Sequence, residues 1–374
     1  MPHTVETPTT HTSFSGNARI VLSDKSRKAD FNEIPIISLA SPREEVVLQV
    51  FDACTRVGFF YIKDHDVPQD VIDKTFDAGK MFFALPIDQK NETHFRKNKL
   101  LRGYEGPGDT KADSASTHGP DLNESFNWGY EADLDPVKSL DSIGEGKFDT
   151  KFFFLFFYFF FYACSNYVLA WGDNLMQGPN YWPSMPGFKE RVSPYYAECL
   201  TLGRRLIRLF ASALGAPENY FDEMFRRPGA MMRLIHYPPQ QPDDVNVLGI
   251  SPHQDIECFT ILCQGEEAGL QILNGKGEWI EAPPIKGTFV VNIGDMMSRW
   301  SNDVFTSTLH RVINKTGRER YTIPFFFGPS YDAVIAPLPF KTCNLDGKGP
   351  RYEPVQAGEY VWKRLADQKV DDKN

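Results

Sequence analysis

From Met231 to Phe327 the chain divides into short apolar runs separated by Gly, Pro and Asn turns, and a stretch of that kind is built most readily from paired β-strands. The runs are Met231–His236, Gly249–His253, Phe259–Leu262, Leu270–Leu273, Trp279–Glu281, Thr288–Ile293, Ser307–Val312 and Tyr321–Phe327. Short strands at this spacing predict a double-sheet jelly roll. Asn274-Gly275-Lys276-Gly277 has the composition of a turn between two of them.

The residues before this region read differently. Ile34–Leu39 is a short strand, and Ser41 and Pro42 look like the N-cap and first position of a helix whose apolar face runs through Val47, Val50, Phe51 and Cys54. Gly58–Ile62 is a second strand, and a helix from about Gln69 to Phe83 ends at Pro86. Residues 100–130 are loop-rich. There Arg102-Gly103-Tyr104 and Glu124-Ser125-Phe126 either border a pocket or make ordinary turn and edge-strand packing. Residues 188–226 follow a helical period through Tyr195, Cys199, Leu202, Leu206, Phe210 and Leu214, with Gly215 as a C-cap, and Ala357 to about Leu365 is a closing helix.

The expected fold is therefore α+β with a mainly β core: a double-stranded β-helix, or jelly roll, with an N-terminal α/β segment and flanking helices. We divide it into a disordered arm (1–30), an N-terminal domain (31–135), an anomalous insertion (136–172), a helical support (173–228), the jelly-roll domain (229–340) and a C-terminal helix and tail (341–374).

The anomalous insertion carries FFFLFFYFFFY at 152–162, which is too short to cross a bilayer, since that takes roughly 20 apolar residues. It reads as an aromatic core plug, as an interfacial membrane patch, or, the reading we favour, as translated non-coding sequence such as a retained intron spanning about 137–171. Transcript sequencing that finds the segment in every mature message would refute the last.

A net charge of -9 without a basic stripe argues against nucleic acid as a partner. The six cysteines form no CxxC pair and fit reduced thiols, and the first thirty residues carry neither a signal-peptide core nor a transit helix. We expect a cytoplasmic protein, a monomer or weak homo-oligomer, that acts on a small molecule and engages no membrane.

The chemistry sits inside the strand-rich region. On a strand, His253 and Asp255 face the same side and can grip one metal ion, while Gln254 faces away. His310, on a distant strand, would complete a two-histidine, one-carboxylate set that leaves part of the coordination sphere open, as non-haem Fe(II) oxygenases require. Arg320 and Thr322 repeat the spacing, placing a guanidinium and a hydroxyl where they can take a carboxylate.

With these residues in place, the chain resembles the isopenicillin-N-synthase-like family of Fe(II)/2-oxoglutarate-dependent dioxygenases. The resemblance is also carried by Asp121–Phe126, Arg233–Pro239, Val291–Asp295, and Arg299–Asp303 running into Ser307–Val312. It covers nearly the whole chain apart from the arm and residues 137–171. It implies that His253, Asp255 and His310 bind Fe(II), that Arg320 and Thr322 hold the distal carboxylate of 2-oxoglutarate, and that Tyr237 touches this co-substrate. The implied reaction consumes O2 and 2-oxoglutarate, releases succinate and CO2, and hydroxylates or otherwise oxidises a small molecule. Gln254 stands where Thr is usual, and Ile256-Glu257-Cys258 departs from the small, Gly-containing sequence common there.

Two other readings stay open at this level. One is a 2-oxoglutarate-independent iron oxidase or cyclase of secondary metabolism, and the other a non-catalytic metal-binding jelly-roll protein. Among family members the chain is most similar to fungal thymine-7-hydroxylase-like enzymes and oxygenases of nicotinate-catabolism clusters. That similarity implies a small, planar, nitrogen-containing ring as substrate, with a secondary metabolite as the competing choice.

Overall fold

The structure, a computed structural model, describes residues 8–12, 18–30, 33–112, 119, 121–137, 176, 178–240 and 248–369. The aromatic run at 152–162 lies outside them.

Two sheets form the centre. The larger has eight strands in the order Ile36–Ser38, Phe59–Lys63, Thr288–Ile293, Phe259–Cys263, Arg320–Gly328, Gly229–Tyr237, Glu124–Gly129 and Gly103–Glu105. The smaller has five: Ser26–Lys28, Trp279–Glu281, Leu270–Leu273, His310–Val312 and Ile250–His253. Between them Phe59, Tyr61, Leu270, Ile272, Ile280 and Val290 form a buried apolar cluster. At roughly 1.5–3 kcal/mol for each fully buried large apolar side chain, this layer is a main reason the two sheets stay face to face.

The runs Leu270–Leu273, Trp279–Glu281 and Thr288–Ile293 coincide with strands residue for residue, because turn residues bound them on both sides. Other expectations shift. Part of the arm expected to be disordered is a strand: Ser26–Lys28 pairs in parallel with Trp279–Glu281, and Arg27 is tied to Glu33 at 2.7 Å and to Glu278 at 2.9 Å. Residues 103–105 and 124–129 are not loop but strands that extend the large sheet, Gly103–Glu105 forming its edge and Glu124–Gly129 lying between it and Gly229–Tyr237. The first helix runs Arg43–Arg56 with Pro42, not Ser41, at its N-cap and no side-chain cap. Pro86 both ends the Gln69–Phe83 helix and opens a further short helix, Ile87–Asn91.

The long helix Phe188–Ala213 stops at the expected C-cap, where Gly215 takes a left-handed φ of 77°, and the rest of the 188–226 stretch adds only a single 3-10 turn, Asp222–Phe225. It packs its apolar face against the outer side of the large sheet, with the Phe210 and Phe259 rings 5.0 Å apart. Glu124 locks the N-terminal segment to the sheets, accepting hydrogen bonds from Lys90 Nζ (2.6 Å), the Tyr104 hydroxyl (2.7 Å) and, across to strand Gly229–Tyr237, His236 Nδ1 (2.8 Å). These partners hold its carboxyl below the usual range against the opposing effect of burial. No helix among the described residues is long and apolar enough to cross a membrane, and the five described cysteines are all buried and unpaired.

Candidate active site

His253 ends the strand Ile250–His253, and His310 begins the strand His310–Val312 directly opposite it, so the two are cross-strand partners. Their rings are 4.2 Å apart. Asp255 comes from just beyond the strand end, with its Oδ1 3.6 Å from His253 Nε2 and 3.7 Å from His310 Nε2. One ligand atom from each of the three lies within 4.8 Å of the others, a spacing that one ion can bridge, and this is the one such group of three or more His, Cys, Asp or Glu among the described residues.

The position of Asp255 corrects the expectation that His253 and Asp255 share one strand. The chain leaves the sheet at Gln254 and turns, and the turn is pinned by the start of a six-residue helix, Asp295–Trp300. The amides of Gly294, Asp295 and Met296 donate to the carbonyls of Cys258 (2.9 Å), Asp255 (2.8 Å) and Ile256 (3.1 Å). Backbone approach here is so close that a Cβ on Gly294 would lie 2.1 Å from the Glu257 carbonyl oxygen, which only glycine avoids. Sequence periodicity could not see this helix, since at six residues it has too few turns to show an apolar stripe.

Each of the three side chains is oriented by a further bond. His253 Nδ1 donates to the Ser251 carbonyl at 2.8 Å and His310 Nδ1 to the Thr308 carbonyl at 3.1 Å, which in both cases leaves the Nε2 lone pair facing the centre. Asp255 Oδ2 accepts from Asn292 Nδ2 at 2.7 Å and from the Thr260 hydroxyl, so Oδ1 is the oxygen presented to the histidines. Asp121 fixes Ser251 in turn, accepting from its amide (2.8 Å) and hydroxyl (2.7 Å), and accepts the Ala112 amide at 2.7 Å through its other oxygen. Asn292 and Asp121 both lie in stretches that carried the family resemblance, yet nothing in the sequence marked their roles, which exist only across strands. Burial, and then the neighbouring His310, push the His253 pKa down to about 4, so its imidazole is neutral and able to donate a lone pair at neutral pH.

The second half of the site lies along the strand Arg320–Gly328. Arg320 and Thr322 are both 1% exposed, and the side-chain atoms Arg320 Nη1 and Thr322 Oγ1 have no hydrogen-bond partner. Arg320 spends its Nε on the Glu267 carbonyl (3.1 Å) and lies over the Tyr237 ring at 4.7 Å. Space for the guanidinium depends on Gly269, where a Cβ would come within 3.0 Å of Arg320 Nε. A buried guanidinium with no carboxylate beside it is costly, and burial depresses its pKa. An anionic ligand is the partner this arrangement lacks, and a carboxylate that accepts from both Arg320 and Thr322 fits it. Gln254, between His253 and Asp255, donates to the Ser307 carbonyl at 2.6 Å.

One pocket joins both halves. His253, Asp255, His310, Arg320, Thr322 and Tyr237 all line it, and its outer wall includes Thr110, Ala112, Asp121 and Asn123 from the 100–130 region, together with Leu365 and Gln368 from the C-terminal segment. The C-terminal segment had not been expected at the pocket. It is held there by a bond from the Lys111 amide to the Gln368 carbonyl (3.0 Å) and by Lys369, which pairs with the buried Glu105. Glu257 also lines the pocket, with its Oε1 unpartnered and its pKa raised to about 8 by burial and then by Asp255.

Comparison with known proteins points the same way. The 2OG-Fe(II) oxygenase superfamily matches residues 228–329, and the family described as non-haem dioxygenase in morphine synthesis N-terminal matches 34–144. The chain is 34% identical over 373 residues to the 2-oxoglutarate-Fe(II) type oxidoreductase ppzC of Metarhizium rileyi, covering 94% of this chain and 93% of that protein. It is 33% identical over 326 residues to the 2-oxoglutarate-Fe(II) type oxidoreductase hxnY of Emericella nidulans, covering 85% and 83%. Among solved structures, full-length Neurospora crassa T7H in complex with alpha-KG and thymine superposes with a TM-score of 0.72 at 25% identity, covering 90% of this chain and 98% of that one.

Proposed function

The chain belongs to the 2OG-Fe(II) oxygenase superfamily and is an Fe(II)- and 2-oxoglutarate-dependent oxidoreductase; on that premise we propose that His253, Asp255 and His310 hold its iron, that Arg320 and Thr322 hold its co-substrate, and that it oxidises a small, planar, nitrogen-containing ring. The observation that carries this reading is the pairing, in one pocket, of three inward-facing ligand atoms with a buried, unmatched Arg320 Nη1 and Thr322 Oγ1.

Bound iron and 2-oxoglutarate supply O2 activation, coupling oxidative decarboxylation to succinate and CO2 with oxidation of a substrate C–H bond. The protein's residues do the positioning. The Nδ1 bonds to Ser251 and Thr308 keep both imidazoles in the tautomer that offers Nε2, while Asn292 and Thr260 keep Asp255 from rotating. Arg320 and Thr322 take the far carboxylate of the keto acid, and the Tyr237 ring packs against the guanidinium so that it cannot swing away. Phe59, packed edge-on to His310 at 5.2 Å, and Leu262, Leu270 and Val312 line the pocket with apolar surface that excludes water from the reacting centre.

The nitrogen-ring substrate is supported by the likeness to T7H, whose structures hold thymine or 5-formyluracil beside alpha-KG. The experiment is anaerobic absorption spectroscopy of the protein with Fe(II), before and after 2-oxoglutarate. A new visible charge-transfer band, lost in His310→Ala, is expected. Fe(II) binding without a band, or O2 uptake with a substrate but without one succinate per O2, would overturn the assignment of Arg320 and Thr322 to 2-oxoglutarate.

A further inference from the structure

Glu257 is the one carboxyl among the described pocket-lining residues, other than Asp255 and Asp121, and it has no evident structural task. Its side chain is 2% exposed, and its Oε1 is buried with no hydrogen-bond partner. Arg364, whose charge acts on it, donates instead to Asp295 Oδ2 (2.6 Å) and to the Tyr360 hydroxyl (3.2 Å). A buried polar atom left unmatched destabilises a fold by about 1–3 kcal/mol, so a retained one suggests a partner that arrives later.

Its place says which partner. Arg320, Thr322, Pro324, Phe326 and Gly328 share one face of their strand by alternation. A Cβ at Gly328 would lie 3.3 Å from Glu257 Cγ. Glu257 therefore reaches the pocket beside the strand end opposite Arg320, roughly 25 Å along the strand at about 3.3 Å per residue. The co-substrate's carboxylate cannot be its partner, being held at the other end of the strand by Arg320 and Thr322. Met231, Ile256, Phe326 and Leu365 add apolar surface to the same pocket.

We propose that Glu257 is a specificity-determining residue that accepts a hydrogen bond from a ring N–H or cationic nitrogen of the substrate, so that the pocket selects nitrogen compounds carrying a donor over their N-alkylated or carbocyclic counterparts. This rests on the oxygenase reading above, and it gives that reading's ring a required donor. It also assigns a task to the Ile256-Glu257-Cys258 sequence, which departs from the family pattern at this point.

The test uses the full chain, as wild type, Glu257→Gln and Glu257→Met, loaded anaerobically with Fe(II) and 2-oxoglutarate. The charge-transfer band is read first. Its absence from wild type defeats the oxygenase-site reading, whereas its presence in all three leaves Glu257 alone under examination. Each protein is then titrated calorimetrically with cyclic amides, thymine among them, and cyclic amines, each beside its N-methylated counterpart. The expected result is that compounds bound by wild type carry an N–H. N-methylation or Glu257→Met weakens them about tenfold or more, and Glu257→Gln, which keeps an acceptor oxygen, falls between. The proposal is overturned if Glu257→Met binds the same compounds within twofold, if N-methylated forms bind as well as their parents, or if no nitrogen compound in the panel binds. Should Glu257→Met lose the band through misfolding, the N-methyl series on wild type decides by itself.

Discussion

Asn292, in the strand Thr288–Ile293, donates through Nδ2 to Asp255 Oδ2 at 2.7 Å. The oxygen that faces away from the histidines is thereby fixed, and the one that faces them is left free. Asn292→Leu removes that donor at little change in volume. Fe(II) affinity, measured anaerobically by competition with a chelator, is expected to fall roughly 10–100-fold while the fold persists. Unchanged affinity would mean that Thr260 alone holds the carboxylate.

Arg320→Ala deletes the buried guanidinium and should raise the 2-oxoglutarate concentration needed for half-maximal succinate release by at least about 10–100-fold, with Fe(II) binding retained. Lysine at the same position should recover only part of the loss, because a point charge cannot reproduce the two-pronged contact. An Arg320→Ala enzyme with an unaltered requirement would show that the co-substrate sits elsewhere.

Gly294→Ala drives a methyl group into the Glu257 carbonyl, 2.1 Å away, and so pushes the Gln254–Cys258 turn off the helix that pins it. A loss of about 1–3 kcal/mol in unfolding free energy is expected from such overpacking, together with weaker Fe(II) binding, since Asp255 moves with the turn. Denaturant unfolding of the metal-free protein and metal titration check the two parts separately.

The Arg27 guanidinium beside Glu33, followed by the opposing effect of burial, leaves the Glu33 pKa lowered to about 2. A carboxyl whose folded pKa lies below its unfolded value contributes stability that is complete above the unfolded value, near 4.5, and is lost as pH falls toward 2. Hydrogen exchange at Ser26–Lys28 should therefore quicken as pH is lowered through that window, beyond the intrinsic pH dependence of exchange. Glu33→Gln should exchange fast throughout and show no such step.

Both flanks of the anomalous insertion are anchored to the same body. Asp135 is paired with Arg204 at 2.6 Å, and Asn180 bonds the backbone of Gly129 through both its side-chain oxygen (2.8 Å) and its amide nitrogen (2.9 Å). Deleting residues 137–171 should thus leave a joinable gap, and the shortened chain is expected to fold and to give the same charge-transfer band with Fe(II) and 2-oxoglutarate. Failure of the shortened chain to fold would show that the segment belongs to the working protein.

What the sequence made legible was periodic or chemically unusual. Leu270–Leu273 and Thr288–Ile293 were readable because Gly, Pro and Asn stop them, and the candidate site because few arrangements other than the proposed one need His253, Asp255, His310, Arg320 and Thr322 together. What escaped notice depends on tertiary partners. Ser26–Lys28 is a strand only because Trp279–Glu281 lies beside it. Asp255 lies off the strand only because the amides of Gly294, Asp295 and Met296 bind the carbonyls of Cys258, Asp255 and Ile256. Asn292 and Asp121 act through contacts that no local pattern encodes.

The cross-strand pairing of His253 with His310 bears on how the molecule is made. Neighbours in space but distant along the chain, they meet only after the intervening hairpins have closed, and closing such loops is the slow, entropy-limited part of folding a β-rich domain. Nascent or misassembled chains accordingly lack the His253–Asp255–His310 cluster. If these side chains hold the iron as proposed, tight uptake of the ion would report that the strands carrying them have already met.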